Sequence, residues 1–336
     1  MKIFKQSKNI AVRSLFALTA LAILPIGKQA YAADAPFPNK PITIVVPYNA
    51  GGPTDLLART LATVMSKNLG QPINIENVGG GGGTTGVGNV VLAPKDGYTV
   101  LVTHIGIATA PALYRSLRYN ALTDLDPIGL IADVPMSVIA RPTMEAENLK
   151  DFIAYAKENK NKLSYAHSGV GSASHLCGML LLNAINADIL TIPHKGTKPA
   201  LDALLAGKVD FMCDQTTNTT DKIKSKAVKA YAVTSKNRLA ALADLPTLEE
   251  SGLKSATLSV WQGMWVPKGT PAAAAKRLNA AMQVALTDAV VLAEFAKLST
   301  TAYPVAQQTP AALRTLQKAE VAKWAPIIKK AAVFAD

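Results

Sequence analysis

Along this chain the hydrophobic period switches repeatedly between two and about three and a half. Short runs rich in β-branched residues at 42–46, 73–78 and 99–103 alternate with amphipathic runs at 55–68 and 84–92. The helix at 55–68 is well marked, because Leu57, Leu61, Val64, Met65 and Leu69 recur at three- and four-residue steps. Thr54 or Asp55 can cap its start, and Gly70-Gln71-Pro72 ends it. Such alternation predicts an α/β domain with a mainly parallel sheet. A second series with the same rhythm runs through 163–166, 174–184, 189–192, 199–206, 209–213 and 228–234. Between the two series lies 128–140, and 258–266 leads out of the second into Pro267-Lys268-Gly269-Thr270-Pro271. Two crossings of this kind fit a discontinuous domain that the chain leaves and re-enters. The helices predicted at 271–287 and 310–330 then pack back onto the first series. No repeat of 20–50 residues stands out, and the glycine run at 79–83 is the one low-complexity patch.

The N-terminus reads as a secretion signal. Lys2, Lys5, Lys8 and Arg13 precede an apolar run at 15–26, and Ala30-Tyr31-Ala32 forms a cleavage site ahead of Ala33. A membrane anchor is the competing reading, but about a dozen apolar residues fall short of the roughly 20 that span a bilayer. No cysteine follows the leader, so a lipid anchor is not expected. Removing residues 1–32 takes away five basic and no acidic residues, lowering the formal charge from +12 to +7 over 304 residues. The remaining Lys and Arg are scattered through helical segments with few aromatics among them, which argues against a nucleic-acid partner. No later segment offers about 18 uninterrupted apolar residues, so a soluble, periplasmic mature protein is expected. Cys177 and Cys213 would meet an oxidising compartment there, and a disulfide between them is favoured over two separate buried thiols. Neither C-x-x-C nor H-E-x-x-H occurs, and no metal or organic cofactor is implied.

In an open α/β sheet, ligands bind beyond the carboxyl ends of the strands, so loops leaving strands carry most weight. In the first such loop, Tyr48, Asn49, Ala50, Gly51 and Gly52 lead to Thr54 and Asp55, a turn that lets backbone approach an anion at a helix start. The second, with Gly81-x-Gly83-x-x-Gly86, formally matches a dinucleotide fingerprint, but no acidic residue stands about 20 positions on. It is read instead as a flexible turn or as a loop whose Thr84 and Thr85 reach a cleft. In the third, Ser168, Gly169, Ser172 and Ala173 offer hydroxyls and N–H groups at a helix start, a cradle for a carboxylate. Ser172 and His175 also invite a nucleophile hypothesis, although G-x-S-x-G is absent and a pair three apart does not define a triad. In the fourth, His194 can donate to an anion, and Asp214 can accept from an ammonium or hydroxyl; ordinary loop polarity is the plain alternative. His104 follows a strand and is placed to face the same cleft.

Taken in order, several segments resemble the Bug family of extracytoplasmic solute receptors, the TctC-type receptors of tripartite tricarboxylate transporters. They are 41–48 leading to Ala50-Gly51-Gly52 and Asp55, then Asp96-Gly97-Tyr98-Thr99, then Gly169-Val170-Gly171-Ser172 with His175. Lys195-Gly196 with Pro199-Ala200, then 204–210, then Trp261-Gln262-Gly263 ahead of Pro267-Lys268-Gly269 complete the series. The resemblance implies a two-lobed periplasmic binding protein (type II) fold with two crossover strands and a ligand cleft between the lobes. On that frame 1–32 is the signal peptide, 33–133 and 257–336 form domain 1, and 134–256 forms domain 2. It also implies a monomeric, non-enzymatic receptor that holds a small organic acid or amino acid and passes it to transporter membrane subunits. Carried over by position, the first-domain contacts are Tyr48 to Gly52, Thr54, Asp55, Thr84 and His104. Those of the second are Ser168, Gly169, Ser172, Ala173 and Asp214. Many relatives place Tyr where this chain has His194, which bears on the choice of ligand. A sensory receptor serving a membrane kinase, or an exported serine hydrolase, stays open as an alternative.

Overall fold

The computed structural model describes residues 36–331 and Ala335; the signal peptide and the cleavage after Ala32 expected from the sequence lie outside them. From the first series come β1 (Ile42–Val46), α1 (Pro53–Leu69), β2 (Ile73–Asn77), α2 (Thr84–Val91), β3 (Thr99–His104) and α3 (Gly106–Leu113). A 16-residue strand, β4 (Leu125–Ala140), then leads to α4 (Leu149–Glu158), β5 (Ser164–His167), α5 (Ala173–Ile185), β6 (Leu190–Pro193) and α6 (Thr197–Leu205). The second series ends with β7 (Phe211–Gln215), α7 (Thr216–Lys224) and β8 (Lys229–Val233). The chain returns through β9 (Ser259–Pro267) to α8 (Ala272–Thr287), α9 (Ala289–Lys297), β10 (Thr301–Ala302) and α10 (Pro310–Ala331).

The result is a two-lobed α/β architecture whose strands run in the order β2-β1-β3-β9-β4-β7-β5-β6, with β8 and β10 also paired to β4. It departs from the mainly parallel sheet that the alternation predicts. Parallel pairing is confined to β2-β1-β3 on one side and β6-β5-β7 on the other. The centre is antiparallel, because β9 runs back between β3 and β4. Those two long strands are the expected crossings, and a crossing strand that returns must oppose the one that left.

The side chains of β1 show why it forms. Ile42, Ile44 and Val46 face Leu57, Leu61 and Met65 of α1 and Leu278 and Met282 of α8 in one core, whereas Val45 enters the other. Period-two alternation between two apolar faces is what a strand covered by helices on both sides requires. The second lobe has an aromatic core, in which Phe152 stacks on Tyr231 at 4.5 Å and meets Phe211 edge-on at 5.2 Å.

Cys177 of α5 and Cys213 of β7 form a disulfide, with Cα atoms 6.0 Å apart and a separation of 36 positions in sequence. Closing a loop of that length removes chain entropy from the unfolded state worth about 4 kcal/mol on the entropic account, an upper figure. A Cys177→Ser/Cys213→Ser double variant is therefore expected to lose roughly 2–4 kcal/mol in equilibrium urea unfolding. An unchanged midpoint would show that the bridge adds nothing to stability.

Candidate ligand-binding site

Loops at the ends of β1, β2, β3, β5, β6 and β7 surround one cavity of about 750 Å³. Four helices begin in its wall. Pro53 and Thr54 start α1, Ala173 and Ser174 start α5, Thr197 and Lys198 start α6, and Gln215 caps α7. The first N–H groups of a helix have no intrahelical acceptor and sit at its positive end. Their convergence brings the positive ends of four helix dipoles to the cavity without a buried lysine or arginine in its lining. Lys195 and Lys198 line it but are exposed, and Lys198 is paired with Asp202 at 2.7 Å.

The β1–α1 loop is braced from behind. Asp55, buried, accepts from the Gly51 N–H at 2.8 Å, from Arg59 Nε at 3.0 Å and from Asn77 Nδ2 at 3.0 Å. Burial opposes its ionisation, yet Arg59, Gly51 and Asn77 together hold the carboxyl below the usual range. The same Asn77 amide donates to the Tyr48 carbonyl at 3.0 Å, so one network fixes both ends of the turn. The Tyr48 ring stacks on His104 with centroids 4.3 Å apart, and its hydroxyl lies 3.0 Å from Thr103 Oγ1. Burial pushes that phenol up and keeps it neutral.

On the opposite wall Ser172 caps α5, its Oγ accepting from the His175 N–H at 3.2 Å. Ser174 Oγ accepts from the Ser168 N–H at 2.8 Å and lies 2.8 Å from Ser168 Oγ and 3.1 Å from Ser172 Oγ. The His175 imidazole turns away from Ser172: its Nδ1 accepts from the Gly171 N–H at 3.3 Å, and its ring lies against His167. His104 uses its Nδ1 in the same way, accepting from the Gly106 N–H at 3.0 Å. A nitrogen that accepts cannot also carry a proton, and burial lowers His104 to about 3 and His175 to about 4. His194 differs, since its Nδ1 faces the Ile192 carbonyl at 3.1 Å and so carries the proton.

Of the residues expected at the site, Tyr48, Asn49, Ala50, Gly52, Thr54, His104, Ser168, Gly169, Ser172, Ala173, His194 and Asp214 line the cavity. Gly51, Asp55 and Thr84 stand outside its lining; Asp55 acts on the loop through Gly51 and Tyr48's neighbour Asn77. Unread from the sequence were Ser174, Tyr114 and Gln215. Gln215 accepts from Gln262 Nε2 at 3.1 Å, and Thr54 donates to Gln262 Oε1 at 3.2 Å, so a buried polar chain joins the two walls through β9.

Two further bonds cross the cavity mouth. Asn49 Nδ2 donates to the Lys195 carbonyl at 2.7 Å, and Tyr114 donates to the Val170 carbonyl at 3.0 Å. Glycines permit this approach: a Cβ at Gly196, whose φ is +106°, would lie 2.9 Å from Asn49 Nδ2, and one at Gly82 would lie 2.4 Å from the Val170 oxygen. The glycine run thus serves close packing across the mouth.

A profile of the tripartite tricarboxylate transporter family receptor, TctC, matches residues 57–333. The chain belongs to that family. It is 43% identical over 338 residues to a UPF0065 protein from the TAR-I ttuE-ttuC' intergenic region of Agrobacterium vitis, covering 98% of this chain and 96% of that protein. Among solved structures it resembles the periplasmic binding protein BugD, with TM-score 0.86 and 46% identity over 89% of this chain and all of BugD. It also resembles MatC from Rhodopseudomonas palustris with bound malate, with TM-score 0.83 and 36% identity over 87% of this chain and all of MatC. The cavity described above is therefore that of a TctC-family, periplasmic-type solute-binding protein.

Neutral, buried histidines make stability depend on acid. His104 and His175 bind a proton near pH 6.5 when unfolded but only near pH 3 and 4 when folded. Their contribution is complete above about pH 6.5 and falls as pH drops toward the folded values, by up to about 1.4 kcal/mol per pH unit for each. Urea unfolding from pH 7 to 4.5 should show this decline, and His104→Asn should flatten it. An identical slope in the variant would remove His104 from the account.

Proposed function

We propose that the protein is a receptor that captures a small organic carboxylate in this cavity and delivers it to the membrane subunits of a tripartite tricarboxylate-type transporter. The observation that supports this reading best is the convergence of four helix starts on a space with no buried lysine or arginine in its lining. A carboxylate can there accept several N–H and O–H bonds at once, with charge supplied by dipoles. MatC, at 36% identity, holds malate, which supports a carboxylate as the ligand class.

Opening and closing run as a hinge between 133 and 134, within β4, and between 256 and 257, just before β9. The ligand stabilises the closed population by its differential affinity for the two states. Ser172 is a cap and contact here rather than a nucleophile, since its hydroxyl is bonded to the His175 backbone and not to an imidazole.

The exported protein, residues 33–336, is tested by thermal shift and calorimetry against organic acids, amino acids and neutral sugars at neutral pH. A carboxylate at about 100 times its Kd should add roughly 2.7 kcal/mol of stability. Ser172→Ala should weaken binding by about 3–10-fold, the loss of one hydrogen bond, without abolishing it. Folded protein that responds only to neutral solutes would sink the carboxylate reading. Retained uptake in a deletion strain would sink the transport role.

A further inference from the structure

Two aspartates near this cavity are equally buried, each 2% exposed, but are treated differently. Asp55 has Arg59 at 3.0 Å and stands behind the lining. Asp214 forms part of the cavity wall itself. Its Oδ2 accepts from Asn218 Nδ2 at a long 3.4 Å, and the Gln215 N–H is a second, neutral donor. Among the described residues no basic side chain is ion-paired with it. Tyr165 of β5 and Lys222 of α7 are the titratable groups that feel its charge, and on β4 the residue opposite is the neutral Ser137. Burial pushes the carboxyl up to about 7, only partly offset by Gln215, Asn218 and Lys222.

A buried carboxylate without a counter-charge is costly, and its acceptor positions stay unfilled. Here the residue lines the cavity proposed above to hold the ligand. Asp214 also has a fixed relation to the helix start of α5. Tyr165 donates from its hydroxyl to the Ser174 carbonyl and accepts from the Cys213 N–H at 3.2 Å, and Cys213 is bridged to Cys177 of α5. One wall therefore carries two opposite poles, N–H and hydroxyl donors at Ser172 to Ser174 and an acceptor at Asp214.

We propose that Asp214 is a specificity-determining residue: the site selects carboxylates that also bear a hydrogen-bond donor, an ammonium or a hydroxyl, and sets that donor against the Asp214 carboxylate. This rests on the carboxylate reading above. A plain alkane diacid presents either a methylene or a second anion at that position, and both leave Asp214 unsatisfied or repelled.

The test is calorimetry of the exported protein with three acids of equal length: succinate, malate and aspartate, and a second trio one carbon longer, glutarate, 2-hydroxyglutarate and glutamate. Within a trio the donor-bearing acids are expected to bind at least about tenfold more tightly than the plain diacid, as for a site built around a polar partner. Asp214→Asn, of equal shape, should erase most of that ratio, by weakening the donor-bearing acids and by relieving repulsion of the plain diacid. A ratio lost for the amino acid alone identifies the ammonium as partner, and one lost equally for both identifies the hydroxyl or a shared mode. Should Asp214→Asn not fold, wild-type protein decides: the amino-acid-to-diacid ratio should rise between pH 5.5 and 8.5 as Asp214 loses its proton. Tyr165 stays neutral there because burial pushes its phenol up. A pH-independent ratio, a ratio unchanged by Asp214→Asn, or a preference for the plain diacid overturns the proposal alone. Failure of every acid to bind overturns the carboxylate reading with it.

Discussion

One strand carries the mechanical identity of this molecule. The 16 residues of β4 pair with β9 from Leu125 to Pro135, with β7 from Met136 to Ala140 and with β8 from Ser137 to Ala140. Both groups of parallel strands are thereby hung on a single extended segment, and every loop that reaches the cavity is placed by a strand on one side of it or the other. The register also brings Ser137 opposite Asp214 and, through β9, Gln262 next to Gln215. The polar floor of the cavity is thus a by-product of how the crossing strands pair.

Holding an anion in a buried space, the role proposed for this cavity, ordinarily invites an arginine, whose desolvation is costly when the space is empty. This fold spreads the charge over helix starts whose N–H groups exist anyway. The same economy governs the histidines. His104, His167 and His175 each turn Nδ1 back to accept a backbone N–H two or four residues away, so each is neutral and each tightens its own turn. Asp55 is the exception that makes the rest rigid, since a real ion pair is placed where no ligand needs to go.

The sequence made the strands and the long helices readable because their apolar period is strong: β1, α1, β5 and α10 lie where alternation or three-four spacing places them. α3 was not read, since Gly106–Leu113 is built of small, mostly apolar residues with no polar stripe and contains Pro111. α7 was hidden for the opposite reason, with Thr216, Thr217, Thr219 and Thr220 offering no apolar stripe although all are buried. Strand sense across the centre of the sheet is a non-local property and left no local mark. At the site, loop glycines and hydroxyls pointed to the lining residues, whereas Tyr114 and Gln215 enter from elements whose patterns gave no reason to look. The acid brace of Asp55 was legible as a helix-start residue, but its partner Asn77 lies 22 positions on and is joined only by the fold.

The disulfide has a consequence beyond stability. Cys213 is the residue before Asp214, and Cys177 lies one turn into the helix whose start lines the cavity. The spacing between the donor and acceptor poles of that wall is therefore set by covalent bonds rather than by packing alone. That wall is thus one cross-linked unit, a ruler of fixed length between the cap of α5 and Asp214.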